Sequence, residues 1–408
     1  MRLADTFHLT YCSNIHPGET WEEVFGNLKT YVPAVRERLS PHAPFGLGLR
    51  LSAEAAETLE QPGRLVTLQK FLTAEQCYVF TINGFPYGRF HGTRVKEDVY
   101  LPDWKDEARL VYTNRLARIL AALLPDDPAL EGSVSTAPGA FRARVRSADD
   151  VRRMAELMLR HAACLARLRQ QTGRTITLAI EPEPCCYVET IDEAIAFFRD
   201  FLFNPALLQT LAGDLGVSPR QAEQIVRRHI GLCYDACHMA VEFEEIPAGL
   251  ERIASAGIQI CKFQISSAVR FQFRHGDGRA EKILGPFAES TYLHQVVERS
   301  DRGTVRYVDL PEALADQSTA ALRASGPGQE TEWRVHFHIP IFLDSMSDFG
   351  TTQDHLKKLI EWLKRHPVCP YLEVETYTWD VLPSQFKTLD TVGAIVRELA
   401  WVRDQIES

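Results

Sequence analysis

The sequence lacks any uninterrupted apolar run of about 18 residues, the length that a membrane-spanning helix needs. Its first residues, MRLADTFHLTYCSNIHPGE, also lack a basic stretch followed by an apolar one, which is the pattern of a secretory signal. These two absences predict a cytoplasmic protein that does not insert directly into a membrane.

Three further patterns are missing. The nine cysteines form no CxxC pair and follow no regular spacing, which favours reduced, mostly buried thiols. Basic residues are not in excess: 54 acidic residues outnumber 45 lysines and arginines, and the formal charge is −9, so we expect no nucleic-acid partner. No GxGxxG turn is present, which argues against a dinucleotide-binding Rossmann fold.

What the sequence does contain is a regular alternation of short β-branched or aromatic runs with longer amphipathic stretches. Eight such β-then-α units predict a (β/α)8 TIM barrel, forming a single domain over residues 1–408. The expected strands are FHLTYCSNIH, FGLGLRLS, CYVFTINGF, GSVSTAPGAF, TITLAIEPEP, IGLCYDACHMA, IQICKFQISSAV and YLEVETYTW.

About a hundred residues separate the seventh strand from the last, which is far longer than an ordinary barrel connection. We therefore predict an insertion with structure of its own at residues 270–345. Within it, YLHQVVERSDRGTVRYVDLP predicts a β-hairpin with its turn near residues 301–303, and WRVHFHIPIFL predicts an extra strand.

Carboxylates and a histidine gather at the predicted carboxyl ends of three strands, where TIM barrels build their active sites. A buried carboxylate without a partner costs several kcal/mol, so a bound cation would explain the convergence economically. The alternative is that these charges pair with arginines and lysines at the barrel rim. The residues concerned are Glu181 and Glu183, Asp235, His238, Glu242 and Glu244, and Glu373 and Glu375.

Candidates two residues apart in a strand share a face, so alternation does not decide which of them reaches the mouth. We prefer Glu181, Asp235 and Glu375 as ligands, with His238 and with Gln264 from strand seven. Oxygen ligands with an imidazole suit Mg2+ or Mn2+ and also accept Zn2+ or Co2+.

Other residues extend the predicted site. His336 and His338 in RVHFHIP alternate onto one face of a strand that could fold over the mouth, either as further metal ligands or as a structural pair. Aromatic, amide and basic groups near the mouth suit a polar metabolite with an apolar face, although Phe85 and Tyr87 could simply plug the rim. The predicted substrate contacts are Tyr11, Asn14, His16, Asn83, Phe85, Tyr87, His91 and Lys262.

The segments IEP, YDACHM, KFQIS and LEVET resemble the Glu, Asp-x-x-His, His, Glu metal set of the xylose-isomerase-like TIM barrels. That superfamily includes sugar isomerases, ketose epimerases and nucleases of the endonuclease IV type. Over nearly the whole chain, HLTYCSNIHPGETW, TINGFPYGRFHG, VKEDVYLPDW and HFHIP also resemble the metabolite-traffic proteins called EboE. Gln264 departs from the superfamily pattern, because the epimerases carry a histidine there, and a neutral amide should bind metal more weakly.

The resemblance implies a divalent-metal-dependent isomerase or epimerase of a small hydroxylated or carbonyl metabolite, linked to metabolite processing or export. A membrane protein of a transport pathway would be a possible partner. In such an enzyme the cation would bind two substrate oxygens while Glu181 or Glu375 moves a proton at the adjacent carbon. A non-catalytic metabolite-binding protein is the alternative.

An endonuclease IV-like nuclease is expected less. Such a nuclease draws histidines from strands three and four, which here end in TINGFPYG and STAPGAF. Only His275 and Asp277, after strand seven, faintly resemble its Asp-x-His motif.

Overall fold

The computed structural model describes residues 1–89, 91–92, 94–274, 278–320, 330–346, 348–380, 382 and 389–408. Two sheets and an outer layer of helices account for most of this part of the chain. The strands are β1 (Arg2–Leu3), β2 (Phe7–Tyr11), β3 (Phe45–Arg50), β4 (Cys77–Asn83), β5 (Gly132–Thr136), β6 (Ile176–Ile180), β7 (Ile230–Asp235), β8 (Ile260–Ile265), β9 (Val269–Arg274), β10 (Val296–Ser300), β11 (Gly303–Tyr307), β12 (Glu330–Val335), β13 (Ser345–Met346), β14 (Phe349–Thr351) and β15 (Tyr371–Val374).

The larger sheet is the barrel. Its strand order is β1-β2-β15-β8-β7-β6-β5-β4-β3, and every neighbouring pair except β1 with β2 is parallel. A parallel bridge between Cys12 and Gly48 joins the two ends of this order. Each of the eight predicted strands is present, so the predicted TIM barrel is confirmed.

Gly48 is required by the way the barrel closes. A Cβ atom at this position would collide with the Glu373 carboxylate and would lie 2.8 Å from the Tyr11 carbonyl oxygen. Glu373 is fully buried inside the barrel, where it forms an ion pair with the equally buried Lys262. The missing side chain of the glycine therefore makes room for a charged pair in the barrel interior.

The outer helices begin where local sequence signals place them. Thr20 and Glu23 form a reciprocal capping box at the start of the first helix. Ser147 caps the start of the helix over residues 148–172, where its side chain accepts a hydrogen bond from the Asp150 amide. The helices are α1 (Trp21–Leu39), α2 (Ala53–Leu59), α3 (Arg64–Ala74), α4 (Glu107–Leu123), α5 (Ala148–Thr172), α6 (Ile191–Phe197), α7 (Pro205–Leu215), α8 (Pro219–His229), α9 (Ala236–Val241), α10 (Ile246–Ser255), α11 (Arg279–Leu284), α12 (Leu310–Ala320), α13 (Gln353–Arg365) and α14 (Thr391–Glu407).

No helix in the described ranges is both long enough and apolar enough to cross a membrane.

The insertion between β8 and β15 contains a second sheet of six strands, antiparallel throughout, in the order β11-β10-β12-β9-β14-β13. The predicted hairpin is β10 with β11. Only residues 333–335 of the predicted extra strand lie in β12, so His336 and His338 follow a strand rather than alternate along one. The sheet also includes β9, which follows β8 after three residues, and the short strands β13 and β14.

The segment that leaves β12 is held at the mouth of the barrel. The His336 amide donates to the Gln295 carbonyl oxygen at 2.8 Å, and the Ile339 amide donates to the Ser267 carbonyl oxygen at 3.0 Å. Ser267 lies just beyond the carboxyl end of β8. The two histidines of the HFHIP motif are thereby brought to the same end of the barrel as the predicted carboxylates.

Candidate metal centre

Three carboxylates from three different strands meet at the mouth. Glu181 directly follows β6, Asp235 ends β7 and caps α9, and Glu375 directly follows β15. One carboxylate oxygen from each lies within 4.8 Å of the other two, and all three residues are buried. We refer to these residues as the carboxylate group.

Pairing with basic side chains explains some of the acidic residues at this end of the barrel. Glu373 pairs with Lys262, and the Glu242 carboxylate lies 2.5 Å from an Arg306 nitrogen. Among the described residues, no lysine or arginine forms such a pair with a member of the carboxylate group. The rim-pairing alternative therefore accounts for Glu242 and Glu373 and leaves the carboxylate group without a counter-charge.

Three histidines converge beside these carboxylates. His238 lies on α9, and His336 and His338 follow β12. The Nε2 atom of His336 is 3.0 Å from that of His238 and 3.3 Å from that of His338. We refer to these three residues as the nitrogen group.

The opposite side of each imidazole is fixed by an oxygen acceptor. The Nδ1 atom of His238 lies 3.0 Å from the Pro182 carbonyl oxygen, and that of His336 lies 2.8 Å from Gln295 Oε1. The Nδ1 atom of His338 lies 2.9 Å from the Glu375 carbonyl oxygen. The Gln295 amide is oriented by its NH2 group, which donates to the Pro184 carbonyl oxygen at 3.2 Å and to the Tyr100 hydroxyl at 3.2 Å. Because these oxygens only accept, each Nδ1 carries a proton and donates to its acceptor, which leaves the three Nε2 atoms facing one another.

Three imidazole nitrogens that face one another at these distances are suited to bind one cation between them. Zinc–nitrogen bonds of about 2.0–2.1 Å in a tetrahedral site separate the ligand atoms by roughly 3.3 Å, close to the distances between these nitrogens. Asp235 Oδ2 is 3.9 Å from His238 Nε2 and fully buried, and no described residue forms a hydrogen bond with it. The donor set and its outer hydrogen bonds therefore fit a divalent metal ion.

The protonation states agree with this arrangement. Burial lowers the pKa of His238 to about 4 and that of His336 well below its ordinary value, so both imidazoles are neutral at pH 7. Burial, followed by repulsion from Glu375 and Asp235, raises the pKa of Glu181 well above its ordinary value. Burial also raises the pKa of Glu375 to about 7. A bound cation would reverse the rise for both glutamates.

A cavity opens onto both groups. Its volume is about 50 Å³, which is room for a few water molecules at about 10–15 Å³ each. The Lys96 ammonium at its wall is neutralised by Asp309 Oδ2 at 2.6 Å. The lining residues are Asn14, Asn83, Phe85, Pro86, Val95, Lys96, Val99, Tyr100, Glu181, Glu183, His238, Tyr292, Leu293, Gln295, His336, His338, Glu375 and Tyr377.

Of the predicted substrate contacts, Asn14, Asn83 and Phe85 line this cavity. The Asn14 and Asn83 amides both donate to Glu375 Oε1, at 2.7 and 2.8 Å, so they orient a carboxylate as well as facing the cavity. The other predicted contacts, Tyr11, His16, Tyr87, His91 and Lys262, do not line it.

Packing accounts for most of the residues that lie away from the cavity. The Tyr11 hydroxyl is 3.3 Å from His16 Nε2, and Tyr87 packs edge-on against Tyr112. Lys262 is enclosed in the barrel with Glu373, which corrects the expectation that it would reach substrate.

The remaining predictions fall outside the cavity or outside the described residues. Gln264 is fully buried, and within the described part of the chain neither its amide oxygen nor its amide nitrogen has a hydrogen-bond partner. His275 and Asp277 of the nuclease comparison lie outside the described residues.

Sequence reasoning named Glu183 but preferred Glu181, and it missed Tyr100 and Gln295. The Tyr100 hydroxyl donates to Glu183 Oε1 at 2.6 Å, and burial raises the pKa of Glu183 to about 8. Tyr100 comes from the short 3-10 helix at Lys96–Tyr100, within the VKEDVYLPDW motif. That motif was the available signal, but spacing alone did not assign it to the mouth.

No protein-family model and no curated protein sequence matches this chain.

Solved structures with similar barrels do exist. A xylose-isomerase-like TIM barrel protein from Mycobacterium smegmatis, in complex with magnesium, is 12% identical, with 100% of this chain and 98% of that chain covered and a TM-score of 0.47. The IOLI protein with a zinc atom is 12% identical, with 98% of each chain covered and a TM-score of 0.44. The probable 3-DHS dehydratase AsbF from Bacillus anthracis is 9% identical, with 96% and 97% covered and a TM-score of 0.44. The chain thus folds as a TIM barrel, shown by its own strand pairing, and is similar to xylose-isomerase-like proteins.

Proposed function

We propose that this protein is a divalent-metal-dependent isomerase or epimerase of a small hydroxylated or carbonyl metabolite. The observation that carries the proposal is the convergence of three histidine Nε2 atoms, with separations of 3.0 and 3.3 Å, beside an Asp235 oxygen that has no hydrogen-bond partner among the described residues. His238, His336, His338 and Asp235 would hold the ion. When bound, it would supply Lewis acidity toward the carbonyl and hydroxyl oxygens of a substrate.

The side chains around the cavity supply the groups that such a reaction needs. Glu181 or Glu375 would move a proton at the carbon next to the carbonyl, as the sequence suggests, and Glu183 joins them as a third candidate. Glu183 faces the same cavity, and its Oε1 is held in place by a hydrogen bond from the Tyr100 hydroxyl. Tyr100, Phe85 and neighbouring apolar residues would exclude water from the reacting carbon.

Solvent-deuterium exchange tests this proposal and does not require the product to be identified. The metal-loaded protein would be incubated in D2O with a panel of small ketoses, aldoses and hydroxyketones, and exchange at the carbon next to the carbonyl would be followed by NMR. Exchange should fall at least 100-fold in Glu183→Gln or Glu181→Gln if that residue moves the proton. Glu361→Gln, at an exposed carboxylate on α13 that does not line the cavity, is the matched control.

A protein that binds no divalent ion, or a metal-loaded protein that exchanges no substrate proton, would contradict the isomerase proposal. Saturable metabolite binding without exchange would instead support the non-catalytic binding protein. An EboE-type role in metabolite traffic, with a membrane-protein partner, rests only on the sequence resemblance. Cleavage of abasic DNA by the zinc-loaded protein would instead support the nuclease alternative.

A further inference from the structure

The cavity beside the nitrogen group is far smaller than a metabolite of the proposed class requires. Its volume is about 50 Å³, whereas pockets that bind small-molecule ligands measure roughly 300–1,000 Å³. The mouth is therefore in a closed state, and a metabolite can enter only if part of the cavity wall moves. The contacts along the wall indicate which part that is.

Two segments meet along one side of this cavity. Residues 95–99 belong to the connection between β4 and α4, and residues 289–295 belong to the insertion, directly ahead of β10. Val99 from the first segment and Leu293 from the second both line the cavity. Separation of the two segments would therefore widen the cavity on this side.

Hydrogen bonds from two consecutive residues join the segments. The Val95 and Lys96 amides both donate to the Thr291 carbonyl oxygen, at 3.0 and 3.2 Å. The Lys96 ammonium donates to the Tyr292 carbonyl oxygen at 2.6 Å and to the Glu289 carbonyl oxygen at 3.1 Å. Four of the contacts across this side of the cavity thus come from residues 95 and 96.

Lys96 also forms the ion pair with Asp309 at 2.6 Å, in which the two side chains are only 11% and 15% exposed. Each of the three ammonium hydrogens therefore has an acceptor in the insertion. The backbone of Lys96 has a φ of 41°, in the left-handed region that is unfavourable for a residue with a Cβ atom. Contacts with the insertion thus hold Lys96 in a strained conformation, which could relax if they were released.

The insertion is attached to the barrel at a second place, away from these contacts. The guanidinium groups of Arg299 and Arg334 lie 4.0 and 3.9 Å from the ring centre of Phe243, which follows α9. Arg334 also donates to the Ala240 carbonyl oxygen at 2.6 Å. Because this attachment does not involve residues 95–99, the insertion can stay in place while that segment moves.

We propose that residues 95–99 form a gate over the cavity, which Lys96 latches to the insertion and which opens to admit a metabolite. Tyr100, whose hydroxyl donates to Glu183 Oε1 at 2.6 Å, marks the fixed end of the gate. This inference rests on the proposed function, because the gate serves the entry of that metabolite. Closure of the gate would return Val99 to the cavity wall and exclude water from the reacting carbon.

Transfer of bound zinc to a chelator tests the latch. Zinc-loaded protein would be mixed with 4-(2-pyridylazo)resorcinol, and the rate of transfer would be followed by absorbance. We expect Lys96→Met to accelerate the transfer at least tenfold, because it removes three hydrogen bonds that hold the gate closed. Loss of a positive charge near the ion would by itself slow zinc release, so acceleration distinguishes an open gate from altered electrostatics.

Lys105→Met is the matched control. Lys105 lies in the same connection, pairs with Asp103 at 3.5 Å and donates to the Arg144 carbonyl oxygen at 2.6 Å, but it does not line the cavity. This variant should release zinc at the wild-type rate. Equal acceleration in both variants would indicate general loosening and would overturn the gate.

Amide hydrogen exchange tests the same movement without metal. The Val95 and Lys96 amides should exchange faster in Lys96→Met, while those of β7 should not change. Unchanged exchange and unchanged zinc transfer would overturn the gate and leave the proposed function standing. A protein that binds no zinc would contradict the proposed function, and exchange alone would then decide whether the segment opens.

Wild-type protein provides the test if Lys96→Met does not fold. Exchange of the Val95 and Lys96 amides that does not depend on low urea concentrations would show local opening and support the gate. The same urea dependence as the β7 amides would mean that the segment opens only when the whole protein unfolds, and would overturn it.

Discussion

At the scale of single residues, the barrel interior contains a charged pair that the mouth does not use. Lys262 donates to Glu373 and, at 3.2 Å, to the Ser135 hydroxyl. Burial lowers the pKa of Lys262, but the Glu373 carboxylate and other nearby acidic groups together raise it by more, so the pKa lies above its ordinary value. Both partners are fully buried. Their main contribution is to neutralise each other, because a lone charge at this depth would be costly.

Removal of the lysine should therefore destabilise the protein. We expect Lys262→Met to lower the free energy of unfolding by about 3–5 kcal/mol, because it leaves Glu373 buried without a counter-charge. Adding Glu373→Gln to this variant should recover a large part of the loss. Urea unfolding followed by circular dichroism measures both values, and a loss below about 1 kcal/mol in the single variant would argue that the charge is compensated elsewhere.

Gln295 acts at the same scale, through the orientation of His336. Gln295→Met removes the acceptor for the His336 Nδ1 proton, so zinc affinity should fall about 10–100-fold, which is typical for loss of such a partner. Competition with a chromophoric chelator measures the affinity.

Tyr100→Phe is the matched control for this prediction. It removes the hydroxyl that contacts the Gln295 NH2 group but leaves the bond from Gln295 to His336. Equal losses in the two variants would count against an orienting role for Gln295.

At the scale of elements, hydrogen bonds to the Glu398 carboxylate connect α14 to segments near the mouth. Glu398 Oε1 accepts from the Thr376 hydroxyl at 2.7 Å and from the Ile341 amide at 3.2 Å. It thereby connects the helix both to the loop after β15 and to the segment that follows the nitrogen group. Burial raises the pKa of Glu398 to about 7.

This raised pKa predicts how stability depends on pH. The folded protein binds the Glu398 proton more tightly than the unfolded chain, whose carboxyl has a pKa of about 4.5. The resulting stabilisation is complete below about pH 4.5 and is lost as the pH rises through about 7. Glu398→Gln should flatten unfolding midpoints measured between pH 5.5 and 8.5, whereas Glu361→Gln, at an exposed site, should not. Parallel curves for Glu398→Gln and wild type would refute the assignment.

The sequence predicted those elements whose signals are local. Each barrel strand and the β10–β11 hairpin lie in short apolar runs, and the start of α5 is marked by Ser147. The pairing of β9 with β14 was not foreseen, because Val269 and Thr351 meet only through tertiary structure.

The candidate site divides in the same way between what was predictable and what was not. The sequence predicted that acidic residues would lie at the mouth, because they stand at the carboxyl ends of the predicted strands. His238 directs its Nε2 toward His336 because its Nδ1 bonds to the Pro182 carbonyl oxygen. Sequence spacing does not predict this contact.

At the scale of the whole molecule, the proposed metal ligands come from both the barrel and the insertion. Zinc bound by His238, His336 and His338 should therefore stabilise the two parts together, by about 2.7 kcal/mol at a free concentration 100 times the Kd. Hydrogen exchange should slow in β12 as well as in β7. The His336→Ala, His338→Ala variant should show neither change, and slowing confined to β7 would mean that the insertion does not take part.

The bond between Asn14 and Glu375 spans 361 positions of sequence. It forms only when β15 has docked between β2 and β8, the step that completes the ring. Contacts of such separation carry a high loop-closure cost and favour late formation during folding. A newly made chain would therefore bring Glu375 to the mouth only at the end of its folding, when the ring closes.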